Sequence, residues 1–103
     1  KVGATICFND LPLLSNIYSY IDNGCIPGGT QRNYDSYGHF FNKLTTFQNT
    51  VLCDPQTSGG LLVTVSDESL IDFHELIKSH QLNLKSIGKI TELNSAKEVV
   101  HIE

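Results

Sequence analysis

Two short runs of residues hold the groups best suited to chemistry. The first is Asp54-Pro55-Gln56-Thr57-Ser58-Gly59-Gly60, followed by Leu61-Leu62. Asp54 and Pro55 suit a helix cap followed by a first-turn proline. Thr57 and Ser58 offer hydroxyls, and Gly59 and Gly60 leave backbone N–H groups unobstructed, so the run is able to cradle an anion such as phosphate. From the residues alone a structural turn is the favoured reading, with the glycines supplying positive φ or close backbone approach. No Gly-Lys-Ser/Thr follows at the spacing of a Walker loop. The second run is Ile26-Pro27-Gly28-Gly29-Thr30-Gln31-Arg32-Asn33. Here a Pro-Gly-Gly turn leads into the Thr30 hydroxyl, the Arg32 guanidinium and the Asn33 amide. Arg32 can pair with a phosphate or carboxylate at another domain's surface; the alternatives are a solvated arginine or one tied to Asp35.

The remaining reactive side chains point to less. His74 falls on the polar side of an amphipathic stretch, His80 near a helix end, and His101 between two apolar residues of a terminal strand. His39 alone lies in the loop region. No pair of histidines, cysteines or carboxylates has metal-ligand spacing. Cys25 sits beside the glycine-rich run, but no neighbouring base or cation activates it.

The elements that must position these residues follow from periodicity. Val2, Ala4, Ile6 and Phe8 alternate as a strand over 2–8. Asn9-Asp10 offers a cap and Pro12 a first-turn proline. Leu13, Leu14, Ile17, Tyr18 and Ile21 then recur at helical spacing until Asn23-Gly24. Residues 24–36 read as a long loop, 34–41 as a short helix or turn, and 43–49 as a polar connection. Val51-Leu52-Cys53 and Leu61 to Val65 read as strands. Ser66 caps a helix with Asp67 and Glu68 in its first turn and a buried stripe of Leu70, Ile71, Phe73, Leu76 and Ile77. Leu84 to Leu93 and Lys97 to Ile102 close the chain as two strands, joined as a hairpin by Asn94-Ser95-Ala96. The order β-α-loop-β-β-α-β-β makes an α+β domain, with a mixed or antiparallel sheet covered by helices and a partial likeness to the ferredoxin-like arrangement.

With 103 residues the chain is one small domain with a moderate core. Its apolar fraction of 40% and charged fraction of 17% are ordinary for a globular fold. Seven basic against eleven acidic residues, a net charge of -4, argue against nucleic-acid or anionic-membrane surfaces. No apolar run approaches the roughly 18 residues that span a bilayer, and no signal-peptide pattern opens the chain. The absence of Met leads us to expect Lys1 to be an interior point of a longer chain. Cys7, Cys25 and Cys53, odd in number and without CxxC spacing, read as free thiols in a reducing, cytoplasmic compartment.

The run from Leu52 through Asp54-Pro55-Gln56-Thr57-Ser58-Gly59-Gly60 to Leu62 resembles a hallmark of the C-terminal half of selenophosphate synthetases (selenide, water dikinases). Ile26-Pro27-Gly28-Gly29-Thr30 with Arg32-Asn33 resembles a second hallmark of that half, and the order and separation fit. Ile87-Gly88-Lys89-Ile90 is similar to the family's closing Ile-Gly-x-Val strand. The resemblance spans nearly the whole chain. It implies kinship with aminoimidazole ribonucleotide synthetase and an enzyme that pairs an N-terminal ATP-binding domain with a C-terminal α/β domain, dimerising through the N-terminal halves. The reaction implied converts selenide, ATP and water to selenophosphate, AMP and orthophosphate, with Mg2+ offsetting the phosphate charge.

On this resemblance, residues 1–103 are an N-terminally truncated C-terminal domain, without activity alone, that helps close the nucleotide site of its N-terminal partner domain. Asp54, Thr57, Ser58, Gly59 and Gly60, with Thr30, Arg32 and Asn33, are the candidates to line the cleft between the two. The family's catalytic Cys or Sec with its lysine, its magnesium-binding aspartates and its Thr-Asp-x-Thr-Gly-Phe-Gly helix are absent here. ATP and Mg2+ are therefore expected on the full enzyme and not on this chain, and a sheet face is expected to lack its helical cover. Two other readings are a non-catalytic dimerisation or binding module and another ATP-using member of the superfamily, such as thiamine-phosphate kinase or a hydrogenase-maturation dehydratase. The Asp-Pro-Gln-Thr-Ser-Gly-Gly run argues against the last.

Overall fold

The computed structural model describes residues 1–93 and 97–103. Strand β1, Val2–Ile6, is the centre of a three-stranded sheet. Strand β2, Gly88–Glu92, lies antiparallel on one side of it, with Gly3 opposite Thr91 and Ile6 opposite Gly88. Strand β3, Val100–Ile102, lies parallel on the other side, with Ala4 opposite Val100. The sheet order is therefore β2-β1-β3, and the expected hairpin between the last two strands is overturned; its turn, Asn94-Ser95-Ala96, lies outside the described residues. The physical reason is that β1 gives both strands a backbone partner. The Ala4 amide donates to Val99 O at 2.9 Å on one side, and the Cys7 amide donates to Ile87 O at 2.8 Å on the other. Glycines permit the close approach: a Cβ on Gly88 would stand 2.1 Å from the Thr5 carbonyl oxygen.

After β1 a 3₁₀ turn, Phe8–Asp10, leads to helix α1 at Ile17–Asp22. The helix starts later than the spacing of Leu13 and Leu14 suggests, because Leu11 precedes Pro12 and is held extended. It ends as expected at Asn23-Gly24. Gly24 has φ 75°, its amide donates to Ile21 O, and the Cys25 amide donates to Tyr20 O, which is a Schellman closure.

Three further expectations change. The long loop over 24–36 is largely helix α2, Gly29–Tyr37, continued by a 3₁₀ turn at Gly38–Phe40. Its glycines and polar residues hide a helix supported by a Gln31-to-Asp35 side-chain bond of 2.8 Å. The polar connection and the strand at 51–53 are together helix α3, Thr46–Leu52. Thr45 accepts from the Gln48 amide while the Gln48 side chain accepts from the Thr45 amide, a complete capping box. Leu61 to Val65 takes no strand, since both edges of β1 are already occupied.

Ser66 opens a 3₁₀ turn, Asp67–Ser69, ahead of helix α4 at Leu70–Ser79, but its hydroxyl bonds Ser69 and does not cap a backbone amide. The stripe expected to be buried on α4 is not: none of its residues is buried, and Ile71 and Leu76 are 73% and 54% exposed. The core gathers instead around Phe8, Cys53 and Ile102, with Thr30 and Thr50. Phe47 of α3 meets Phe8 edge-on at 5.9 Å and stacks on Tyr18 at 4.5 Å. Asn42 acts as a side-chain ladder for β3, donating to Ile102 O at 2.9 Å and accepting from its amide at 2.8 Å. The result is an α+β fold, with a mixed three-stranded sheet and four helices among the described residues.

Candidate functional site

The fold brings the two runs of interest together. Asn33, in the interior of α2, donates from Nδ2 to the Cys53 carbonyl at 2.9 Å, at the exit of α3. Two residues on, Pro55 closes against the start of α2: a Cβ on Gly29 would lie 2.9 Å from Pro55 Cγ. The two runs, 20 residues apart in sequence, therefore share one junction.

At that junction α2 presents its N-terminus. No side chain caps it, and its first turn carries no acid. The Thr30 amide donates to Pro27 O at 3.1 Å, whereas the Gly28 and Gly29 amides find no backbone acceptor among the described residues. Thr30 is 5% exposed, and its hydroxyl has no hydrogen-bond partner among the described residues. Such a buried orphan costs about 1–3 kcal/mol. Arg32 is exposed, and its Nη2 lies 3.6 Å from where a Cβ on Gly29 would stand. The guanidinium thus folds back toward the positive end of the helix dipole. Two like-signed features side by side favour an anion between them. Arg32 is not tied to Asp35, whose carboxylate accepts from Gln31.

The other run contributes unevenly. Asp54 is half-buried and its carboxylate accepts from the Gln56 side chain. No helix begins at Pro55, so the expected cap and first-turn proline is replaced by an irregular segment that leaves α3. The reason is that Asp54 spends its carboxylate on Gln56 and not on a backbone amide two or three residues on. Thr57, Ser58, Gly59 and Gly60 are all exposed. Their hydroxyls make no hydrogen bond to α2 among the described residues. Gly28 and Gly60 have nothing within 4 Å of a Cβ position, which leaves their backbones open to approach. The structure therefore brings Thr30, Asn33 and Asp54 to the junction, sets Arg32 at its rim, and leaves 57–60 as an open strap.

Gly29, Cys53, Pro55 and Gln56 complete the junction and were not among the candidates, although three of them lie inside the 52–62 run. Cys53 is buried, and burial pushes its thiol pKa up, which makes it an inert packing group. His39 packs on Phe40 with ring centroids 4.0 Å apart, and His74, His80 and His101 are exposed.

The donor set fits a phosphate and does not fit a metal. Among the described residues, no three of His, Cys, Asp and Glu are grouped to hold a cation. Asp54 is the one carboxylate in the 54–60 run, and it is engaged by Gln56. Two shallow grooves, of about 320 and 400 Å³, lie along the end of α4 and across the sheet, and neither includes a residue of the two runs. Among the described residues, no helix is long and apolar enough to cross a membrane.

No family model matches the chain. Curated proteins do. It is 43% identical over 101 residues to a selenide, water dikinase of Photorhabdus laumondii, a match covering 98% of this chain and 29% of that protein. It is 46% identical over 100 residues to one from Shewanella sp. (strain MR-4), covering 97% of this chain and 28% of the relative. A third, from Yersinia pestis, is 40% identical over 101 residues, with shares of 98% and 29%. The chain thus spans less than a third of the length of the curated relatives it matches.

Proposed function

The chain belongs to the selenide, water dikinase family, and we propose that it is the C-terminal part of an enzyme that makes selenophosphate from selenide, ATP and water, releasing AMP and orthophosphate. The observation that carries this reading is the meeting of the two runs at one anion-friendly junction, in a chain similar along its whole length to proteins of that name.

In this reading the chain supplies one wall of the nucleotide site. The Arg32 guanidinium takes a phosphate oxygen in the bidentate manner such groups favour. The Gly28 and Gly29 amides and the α2 dipole hold the same anion, and the Thr57, Ser58, Gly59 and Gly60 strap lies over its far side. The N-terminal domain of the same protein closes the site and excludes water. It also supplies the nucleophile, and its carboxylates hold the magnesium, which offsets phosphate charge when bound. Among the described residues no cluster fits that metal, so no step assigned to them runs through it. The full enzyme is a cytoplasmic homodimer, joined through its N-terminal halves. This chain alone has no activity and binds neither nucleic acid nor membrane.

A second reading, an assembly module, draws on the exposed Leu61, Leu62, Ile71 and Leu76. It is compatible with the first if these residues meet the remainder of the parent protein.

The test is selenide-dependent AMP formation by the complete protein, wild type against Arg32→Ala. A charge-assisted hydrogen bond is worth about 1.5–3 kcal/mol, so the KM for ATP is expected to rise on the order of 10- to 100-fold. An unchanged KM removes Arg32 from the nucleotide wall. No selenide-dependent AMP from the wild type removes the activity.

A further inference from the structure

Asn33 lies in the same run as Thr30 and Arg32, yet its side chain is already spent. Its amide is half-buried and donates to the Cys53 carbonyl at 2.9 Å. Asn is a poor residue for a helix interior, because its side chain competes for backbone groups. At this position the competition is turned outward, onto the end of another helix. Cys53 is the residue that closes α3, and its carbonyl is one of the helix-end acceptors that lack an intrahelical donor. Cys53 is 4% exposed, so water does not readily replace the amide.

We infer that Asn33 is a positioning residue, which fixes the Cys53–Asp54 peptide and thereby sets where the 54–60 strap leaves α3 relative to the N-terminus of α2. The geometry has two points of attachment. The Asn33 amide holds the carbonyl side of the Cys53–Asp54 peptide, and Pro55 packs on Gly29. The same peptide is held from its other side by the Asp54 amide, which donates to Val51 O at 3.4 Å, longer than a strong bond. Without Asn33 the peptide plane keeps only that weak restraint and a buried carbonyl goes unpaired. Gln56 and the strap beyond it then lose their direction toward α2. Asn33 acts through Cys53 and does not touch the nucleotide. The functional consequence rests on the reading that both runs face the nucleotide, whereas the clasp itself does not.

The experiment uses Asn33→Ala and Asn33→Asp in the complete protein, with ¹⁵N relaxation read at Asp54 and Gln56. In the wild type the order parameters are expected near 0.85, and in both variants below about 0.6 at neutral pH. Asn33→Asp keeps the shape but has no donor when ionised. As pH falls through its carboxyl pKa, near 4 or higher with burial, its O–H becomes able to donate. Order at Asp54 and Gln56 should then return in Asn33→Asp and not in Asn33→Ala at the same pH. That comparison within one folded variant separates the clasp from general destabilisation. Order parameters unchanged in both variants, or no return on acidification, overturn the inference. In the complete enzyme the same variants should raise the KM for ATP with little change in kcat. Loosening of the strap with an unchanged KM leaves the clasp standing and overturns the nucleotide reading instead.

Discussion

Gly88 sets the geometry of the sheet more tightly than any apolar side chain of β2. It faces Ile6 in register, and a Cβ there would fall 2.1 Å from the Thr5 carbonyl oxygen, a backbone atom with no room to yield. Gly88→Ala must therefore push β2 away from β1. The expected cost is about 3 kcal/mol, the upper end for overpacking, read as a fall in the denaturant midpoint; a change within 0.5 kcal/mol, ordinary for a surface site, contradicts the register. Single residues were also where the sequence was most legible at the site. Thr30, Arg32, Asn33 and Asp54 were named on the family resemblance as lining a cleft; the structure sets Thr30, Asn33 and Asp54 at one junction with Arg32 at its rim, and leaves Thr57, Ser58, Gly59 and Gly60 exposed. Their roles were less legible. Asn33 turned out to hold Cys53, because a hydrogen bond to a residue 20 positions away leaves no trace in local sequence; Asp54, read as a helix cap, instead accepts from Gln56 two residues on.

At the scale of elements, the ends of helices carry the clearest signals. Gly24 and Gln81 occupy matching positions after α1 and α4, with φ of 75° and 56°. In both cases the next residue's amide reaches back to the helix, Cys25 to Tyr20 O and Leu82 to Ile77 O. The left-handed conformation suits glycine and costs other residues about 1–2 kcal/mol. Gln81→Gly is therefore expected to stabilise the end of α4 by about 1 kcal/mol, checked by the helical signal on thermal unfolding. A loss of stability there would mean that the Gln81 side chain matters more than its backbone. The α1 stop was read correctly from Asn23-Gly24, whereas α3 was missed although Thr45 and Gln48 spell a capping box. Val51-Leu52-Cys53 is too short for periodicity to separate strand from helix. Helix α2 was hidden in the same way by two glycines and a run of polar residues, which match a loop in composition.

The whole molecule leaves much apolar surface without cover. Leu61 is 93% exposed, with Leu62, Val63, Ile71, Leu76, Leu82 and Leu84 all more than half exposed. Most of this surface lies along 61–84; on the sheet, Val2 and Ile90 are more than half exposed on one face, and Thr5, Lys89, Thr91 and His101 occupy the other. This is the part of the fold the sequence could not give. The stripe on α4 and the β-forming run 61–65 were read correctly as apolar, but apolar spacing alone does not fix whether a face is buried, and here Leu61, Leu62, Val63, Ile71 and Leu76 stay exposed. Isolated, the chain is expected to self-associate with rising concentration in light scattering, and Leu61→Ser with Leu62→Ser to reduce that association. A strict monomer at high concentration would count against an interaction surface here.

The central claim is that these residues belong to an enzyme whose product is selenophosphate, with the junction of α2 and the 54–60 strap facing the nucleotide. Phosphorus NMR of the complete protein with selenide and ATP tests it most directly. The expected spectrum gains selenophosphate, AMP and orthophosphate in equal amounts and loses ATP to match. AMP accumulating with orthophosphate and no selenophosphate would contradict the claim.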